Sequence, residues 1–338
     1  MQYDLAVIGN DEAAFEMLCL AAESGKRTAA VLPESSHSSW LVGIALKRLV
    51  SDLLVDRSLH RRRLLARTGS PRLLRQLIAG AIARETGELV RMLERLNVDI
   101  HLGQPRFIDR NLISIADGRT CLRSDLEAHH FVVGTGTRLT AMHRPLGLVA
   151  LHRPESMLEG TRMPNSLCLL GGDSFGCGMA ALFSLFGVQA RHVAREDQDA
   201  SMLELSQSAG VEIAFHPSEF GLTQSGGVLS NSHTDVVDCR RSVGFTEHLN
   251  LSAIDIEPDE NGQLWCSSSL ETWSPGIFGI GDVVGFSPDT AVHPAVQAER
   301  IHRRISVQIP RPHALDLFVK ASRNATNSRT RTFDVVNN

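Results

Sequence analysis

One pattern occurs twice in this chain and constrains its fold more than any other. Asp4–Ile8 is a short apolar run ending at Gly9, Ala13–Ser24 carries apolar residues at helical spacing, and Thr28–Leu32 is apolar again, ending toward Glu34. About 160 residues later the order returns. Ser166–Leu170 is an apolar strand, Gly171-Gly-Asp-Ser-Phe-Gly176 a glycine-bearing turn, Cys177–Phe186 a helical stretch and Val188–Ala194 the next strand. A strand that turns on glycine into a helix, then returns as a second strand, opens a doubly wound α/β sheet. Two such openings predict two doubly wound domains, and 338 residues leave room for two cores.

Other stretches fill in the order. Residues 35–70 show no clear period. Ser70-Pro71 then opens a long helical pattern to about Leu96, with Ser70 suited to the N-cap and Pro71 to the first helical position. Short strands are expected around Ile100, Phe107, Ile113–Ile115 and Phe131–Val133, the last leading into Gly134-Thr135-Gly136. "GIFGIGDVV" (Gly276–Val284) precedes a helix near Ala291–Ile305, and from about Pro310 the polar, basic sequence reads as a mobile tail. The expected division is 1–150 for the first domain, 151–270 for the second, 271–309 for a return to the first, and 310–338 for the tail.

Composition excludes several functions. With 43% hydrophobic residues, 21% charged residues and a net charge of -4, no global field draws nucleic acid or an acidic membrane. The one dense basic run, His60-Arg-Arg-Arg63, reads first as a solvated helix face and second as a phosphate or partner contact. No aromatic platform accompanies it, so a nucleic-acid partner is not expected. No apolar run reaches the length of a membrane span, and the N-terminus shows no basic-then-apolar leader, which gives a cytoplasmic expectation. The six cysteines form no C-x-x-C or C-x-x-x-x-C pair, against a local redox dithiol or a zinc site; no metal is expected.

The joint order of these motifs, "YDLAVIGNDEAA", "FVVGTGTR", "LLGGDSFG" and "TWSPGIFGIGDVVG", resembles FAD-dependent pyridine nucleotide-disulfide oxidoreductases. Within them it is most similar to the soluble pyridine nucleotide transhydrogenase and dihydrolipoamide dehydrogenase branch. The resemblance spans roughly residues 3–305. It implies two Rossmann-like FAD- and NAD(P)-binding domains, the second inserted in the first. Gly9, Asp11 and Ala14 then stand at the three fingerprint positions of the FAD loop, with Gly9 under the pyrophosphate, and Glu34 would accept from the adenosine ribose. Asp282, after Gly281, would hold the ribityl chain, and Gly134, Thr135 and Gly136 would form a close crossing. In the second domain Gly171, Asp173 and Gly176 are the fingerprint positions. Arg195 stands where an arginine would pair with the 2′-phosphate of NADP(H), its alternative being a solvated strand-end charge.

The chain departs from that family where chemistry is carried. "SSHSSWLVGIALKRL", after Glu34, holds no cysteine, and His37-Ser-Ser-Trp40 keeps only the tryptophan of the branch's Cys-Thr-His-Trp-like stretch. The flavin-facing lysine falls at Ile44 or Leu46, with Lys47 one residue off, and its glutamate partner at Gly178. The dimerisation domain and its histidine have no counterpart in these residues. No catalytic residue is assigned, thiol–disulfide reduction is not expected, and oligomeric state is left open. Hydride exchange between nicotinamide and flavin needs mainly two oriented rings. The first reading is therefore a divergent FAD-dependent NAD(P)H oxidoreductase; the alternative is an inactive binding or regulatory relative with weak or no cofactor binding.

Asp11 and Asp173 both replace the middle glycine, whose missing side chain lets backbone approach a pyrophosphate. Two unit charges about 4 Å apart repel by roughly 4 kcal/mol at an effective dielectric of 20, on the order of a thousand-fold in affinity. Alternatively Asn10 and Asp11, and Asp173 and Ser174, are N-cap residue types. The expectation is that each loop supplies its own anion to a helix N-terminus.

Overall fold

The computed structural model describes residues 2–33, 38–55, 70–118, 120, 122–139, 151–152, 157, 163–196, 198–220, 235–240, 242–288 and 293–306. These fall into two compact units. One is drawn from Met1–Ser36, Arg91–Thr137 and Gly244–Asn338, the other from His37–Val90 and Arg138–Val243. The sequence-predicted tail, Glu34, Cys121 and the basic run at His60–Arg63 lie outside the described residues.

The first unit is built on β1 (Gln2–Ile8), β2 (Thr28–Leu32), β3 (Asp99–Leu102), β4 (Gln104–Asp109), β5 (Leu112–Ala116) and β6 (Arg123–Val133). They lie in the order β3-β2-β1-β6-β5-β4. β1 to β3 and β6 run parallel, whereas β4 and β5 are joined to β6 as an antiparallel meander. Leu5 to Ile8 of β1 and all of β2 are buried, as continuous apolar runs in a parallel sheet covered on both faces must be. Phe107 and Phe131 meet edge to face at 5.3 Å in this core. Helix α1 (Glu12–Glu23) follows β1 and buries Ala13, Ala14, Phe15, Met17, Leu18 and Ala21.

The second unit holds α2 (Ser39–Val55) and most of α3 (Pro71–Arg95), as well as the segment after β7 (Thr137–Leu139). Its sheet runs β11-β10-β9-β12-β8 and is parallel throughout. The strands are β8 (Leu151–His152), β9 (Ser166–Leu170), β10 (Gln189–Val193), β11 (Glu212–Ala214) and β12 (Asp235–Asp238). Between them stand α4 (Asp173–Leu185) and α5 (Ala200–Ser208). The chain then passes β13 (Ser242–Gly244), which pairs with β7, and returns to the first unit. There β14 (Leu264–Trp265) pairs with β16 (Val284–Phe286), β15 (Ile277–Gly279) pairs with β6, and α6 (Pro294–Ser306) closes the described chain.

This division runs differently from the boundaries drawn at 150 and 270. The unreadable stretch after Glu34 contains α2, begun by the Ser38 hydroxyl accepting from the Leu41 N–H at 3.2 Å. Its Val42, Ala45, Leu46, Leu49 and Val50 share one core with Phe175, Met179, Leu182 and Phe183 of α4. Burying that apolar stripe places α2 with the second unit. The α3 start is as predicted, with Ser70 Oγ accepting from the Leu73 N–H at 3.4 Å.

Candidate functional site

In an open α/β sheet, ligands bind beyond the carboxyl ends of the strands where the winding reverses. In the first unit that point lies between β1 and β6, since β2 flanks β1 on the other side. Ile8 sits opposite Val31 and Val133, so Gly9 and Gly134 leave the sheet side by side. Their contact is too close for any side chain. A Cβ on Gly9, whose φ is +124°, would lie 2.1 Å from the Gly134 carbonyl oxygen. One on Gly134 would meet the Ala14 Cβ at 2.7 Å, which explains the small residue at the third fingerprint position. Gly136 and Gly281 close around the same point, both within reach of Asp11. Thus Gly9, Asp11, Ala14, Gly134, Thr135, Gly136, Gly281 and Asp282, spread over some 270 residues of sequence, converge at the start of α1.

Asp11 stands at the N-cap position but does not cap. Its side chain makes no cap hydrogen bond into the helix and meets there only the N–H of the adjacent Glu12. It turns inward, 5% exposed, and its Oδ2 accepts the Asp282 N–H at 3.3 Å. A Cβ on Gly281 would come 2.3 Å from that oxygen, and one on Gly136 3.3 Å from the carboxyl carbon. Burial first, and the charge of Asp282 second, push the Asp11 carboxyl up to about 7. The Thr135 hydroxyl, in the segment between Gly134 and Gly136, is buried with no hydrogen-bond partner among the described residues. Gln297 of α6, unremarked in the sequence, fixes the GD turn by accepting the Gly281 N–H at 2.8 Å.

The second switch point lies between β9 and β12, with Leu170 opposite Val193 and Asp238. Gly171 and Gly172 take φ of +67° and +87°, and Gly172, not Asp173 or Ser174, is the N-cap of α4. A Cβ on Gly176 would lie 2.0 Å from the Gly171 carbonyl oxygen, so helix and turn close tightly. Asp173 is the first helical residue, and its side chain is 65% exposed, with Oδ2 3.8 Å from Arg195 Nη1. The expectation that both loops internalise an anion is corrected here for the second loop. Asp11 is buried without capping, and Asp173 faces outward to a cation.

Four further residues shape this turn, and none carried a sequence signal for that role. Buried His192 places Nε2 3.0 Å from the Gly171 carbonyl oxygen and Nδ1 3.6 Å from Cys177 Sγ. Burial holds the imidazole below its ordinary value and pushes the Cys177 thiol up to about 11, so the pair braces the turn as neutral groups. Arg240, following β12, is held by the buried Asp238 carboxylate through Nε at 3.0 Å and Nη2 at 2.7 Å. Its Cγ lies 2.7 Å from where a Gly171 Cβ would be.

The positions matched to the family's lysine and glutamate also meet. A Cβ on Gly178 would lie 2.7 Å from the Leu46 Cβ, so helices α2 and α4 touch directly where an ion pair would otherwise stand. No cluster of possible metal ligands occurs among the described residues, and no described helix is long and apolar enough to cross a membrane.

The first cradle has the shape a dinucleotide needs: glycines abutting backbone, a helix N-terminus and an unpartnered hydroxyl. It disagrees with an ionised phosphate at one atom set only, the Asp11 carboxyl, which holds an N–H that a phosphate oxygen would take.

Comparison with known proteins agrees with this geometry. The chain is similar to the soluble pyridine nucleotide transhydrogenase of Hahella chejuensis, 24% identical over 319 residues, covering 84% of this chain and 67% of that protein. The protein of the same name from Pseudomonas putida is 24% identical over 321 residues with the same coverage. Among solved structures, the HOCl-induced flavoprotein disulfide reductase RclA from Escherichia coli superposes with a TM-score of 0.58 at 16% identity, over 92% of this chain and 73% of that one. That likeness is one of fold, and it agrees with Rossmann-like units of the FAD- and NAD(P)-binding type. The sequence model for pyridine nucleotide-disulphide oxidoreductases matches residues 3–299, and the chain belongs to that family.

Proposed function

We propose that the protein is a divergent FAD-dependent NAD(P)H oxidoreductase of the transhydrogenase type, passing hydride between nicotinamide and flavin without a redox disulfide. The observation that carries this reading is the convergence of Gly9, Gly134, Gly136 and Gly281 on the first switch point. A side chain on Gly9 would strike the Gly134 backbone, one on Gly134 the Ala14 and Ile280 side chains, and one on Gly136 or Gly281 the Asp11 carboxyl, so four positions without side chains meet at the point where a dinucleotide fold admits its ligand. FAD, when bound, would supply the hydride chemistry. The residues of the chain hold and orient. Gly9 and Gly134 open the crevice, Thr135 offers a hydroxyl, and the Asp282 turn, braced by Gln297, faces the N-terminus of α1.

The second unit is read as the nicotinamide dinucleotide site, with Gly171, Gly172 and Gly176 at the pyrophosphate. Arg195 favours NADP(H), since its exposed guanidinium, 3.8 Å from Asp173, stands just past the end of β10, where it can pair with a 2′-phosphate. The Leu46–Gly178 contact supports a path that does not use a lysine–glutamate pair.

Purified protein reconstituted with FAD is expected to show the visible flavin band at about one flavin per chain, bleached anaerobically by NADPH faster than by NADH. A protein that takes up no FAD would overturn the reading in favour of a binding or regulatory relative. Bleaching by NADH alone would overturn the NADP(H) preference.

A further inference from the structure

We propose that Asp11 plugs the phosphate slot of the first unit in its ionised form, and that a dinucleotide enters only with Asp11 neutral, its carboxyl then donating to a phosphate oxygen. This rests on the reading of the first unit as a dinucleotide site.

The geometry makes the side chain an internal substitute for a ligand. It lies at the switch point, at the mouth of α1, yet forms no side-chain cap hydrogen bond to that helix beyond the N–H of the adjacent Glu12. It instead takes the Asp282 N–H, a donor presented by the turn that Gln297 fixes. It is pressed between Gly136 and Gly281, positions that lack a side chain where one would strike it. The second loop provides the internal comparison. The same residue type at the same fingerprint position turns outward there and meets Arg195, so the aspartate itself does not force the inward arrangement.

The surroundings set which form is tolerated. On its own helix Asp11 faces Glu12, and on the GD turn it faces Asp282; the charges of both acids disfavour its ionised form, while their backbone N–H groups favour it, and burial decides the direction. The Gly134–Gly136 segment brings no ionisable side chain, and α6 presents the neutral Gln297 to the same turn. No salt bridge to Asp11 occurs among the described residues. A neutral carboxyl keeps its carbonyl oxygen on the Asp282 N–H and turns its hydroxyl toward the phosphate. An ionised one competes with the phosphate for that N–H and repels it. Binding above the carboxyl's pKa, about 7, therefore takes up one proton per dinucleotide.

The test is equilibrium titration of the purified apoprotein with FAD, followed by flavin fluorescence from pH 6 to pH 9, for wild type, Asp11→Asn and Asp11→Gly. The wild-type affinity is expected to fall by about tenfold per pH unit above neutrality. Both variants are expected to bind with a flat profile, and wild-type binding in buffers of different ionisation enthalpy is expected to show uptake of one proton at high pH. Circular dichroism confirms that each variant is folded, and the glycine variant stands in if the asparagine one is not. A wild-type profile that is flat, or that keeps its slope in both variants, would overturn the plug while leaving FAD binding intact. No FAD binding by any of the three proteins at any pH would overturn the plug together with the reading it rests on.

Discussion

The buried carboxyl of Asp11 has a consequence for folding that needs no ligand. An acid whose pKa is pushed up from 3.8 to about 7 on folding binds its proton more tightly folded than unfolded. Between those two values the folded chain holds the extra proton, so stability falls as pH rises through the window and stays level above it. At about 1.4 kcal/mol per pH unit, the charge of Asp11 costs the fold about 4 kcal/mol at pH 8, most of it already lost by neutrality. Asp11→Asn removes the charge and keeps an oxygen for the Asp282 N–H, at the expense of one new buried N–H₂ group that costs about 1–2 kcal/mol. The variant is therefore expected to be about 2–3 kcal/mol more stable than wild type at pH 8, with the advantage shrinking to nothing near pH 5. Urea denaturation of both proteins at pH 5, 6, 7 and 8 measures this, since every other titrating group cancels in the difference. Parallel stability curves across the range would show that Asp11 does not carry a raised pKa and would remove the premise.

Two other expectations follow from the switch points. Gly134→Ala drives a methyl to 2.7 Å from the Ala14 Cβ and 2.9 Å from Ile280 Cγ2, so it should destabilise the first unit by about 1–3 kcal/mol or more, read by the same denaturation. Arg195→Ala should change stability by less than about 1 kcal/mol, because its partner is well exposed, yet shift any preference for NADPH over NADH by at least tenfold in flavin bleaching.

What the sequence revealed, it revealed through backbone demands. Gly9, Gly134, Gly171 and Gly176 sit in short strand–turn motifs at positions where no side chain fits, and apolar runs such as Ser166–Leu170 announce buried parallel strands directly. The helix from Pro71 was legible for the same reason, its cap and first residue being adjacent. Features set by distant partners were not legible. Gln297 matters because it reaches the Gly281 N–H, and Arg240 because it packs on Gly171 from the next strand; neither residue type signals such a role. Helix α2 escaped notice because it is apolar over more than one face, its period blurred by contacts with α4 and α3. The two aspartates looked equivalent because sequence shows position and not surroundings. Glycines face one, and an arginine faces the other.

The way the first unit is threaded has a consequence for synthesis. Its sheet is begun by Gln2–Ile8, but β15, which pairs with β6, and Gln297, which holds the GD turn, come nearly three hundred residues later. A ribosome therefore releases β1, α1 and β2 long before the segments that complete their sheet exist. The second unit has all its strands by Asp238 and can close while the first still waits. Folding order along the nascent chain is thus inverted with respect to sequence order. Of these two units the one that β1 belongs to is completed second, and the apolar run of that strand, Leu5 to Ile8, is the surface most in need of protection in the interval.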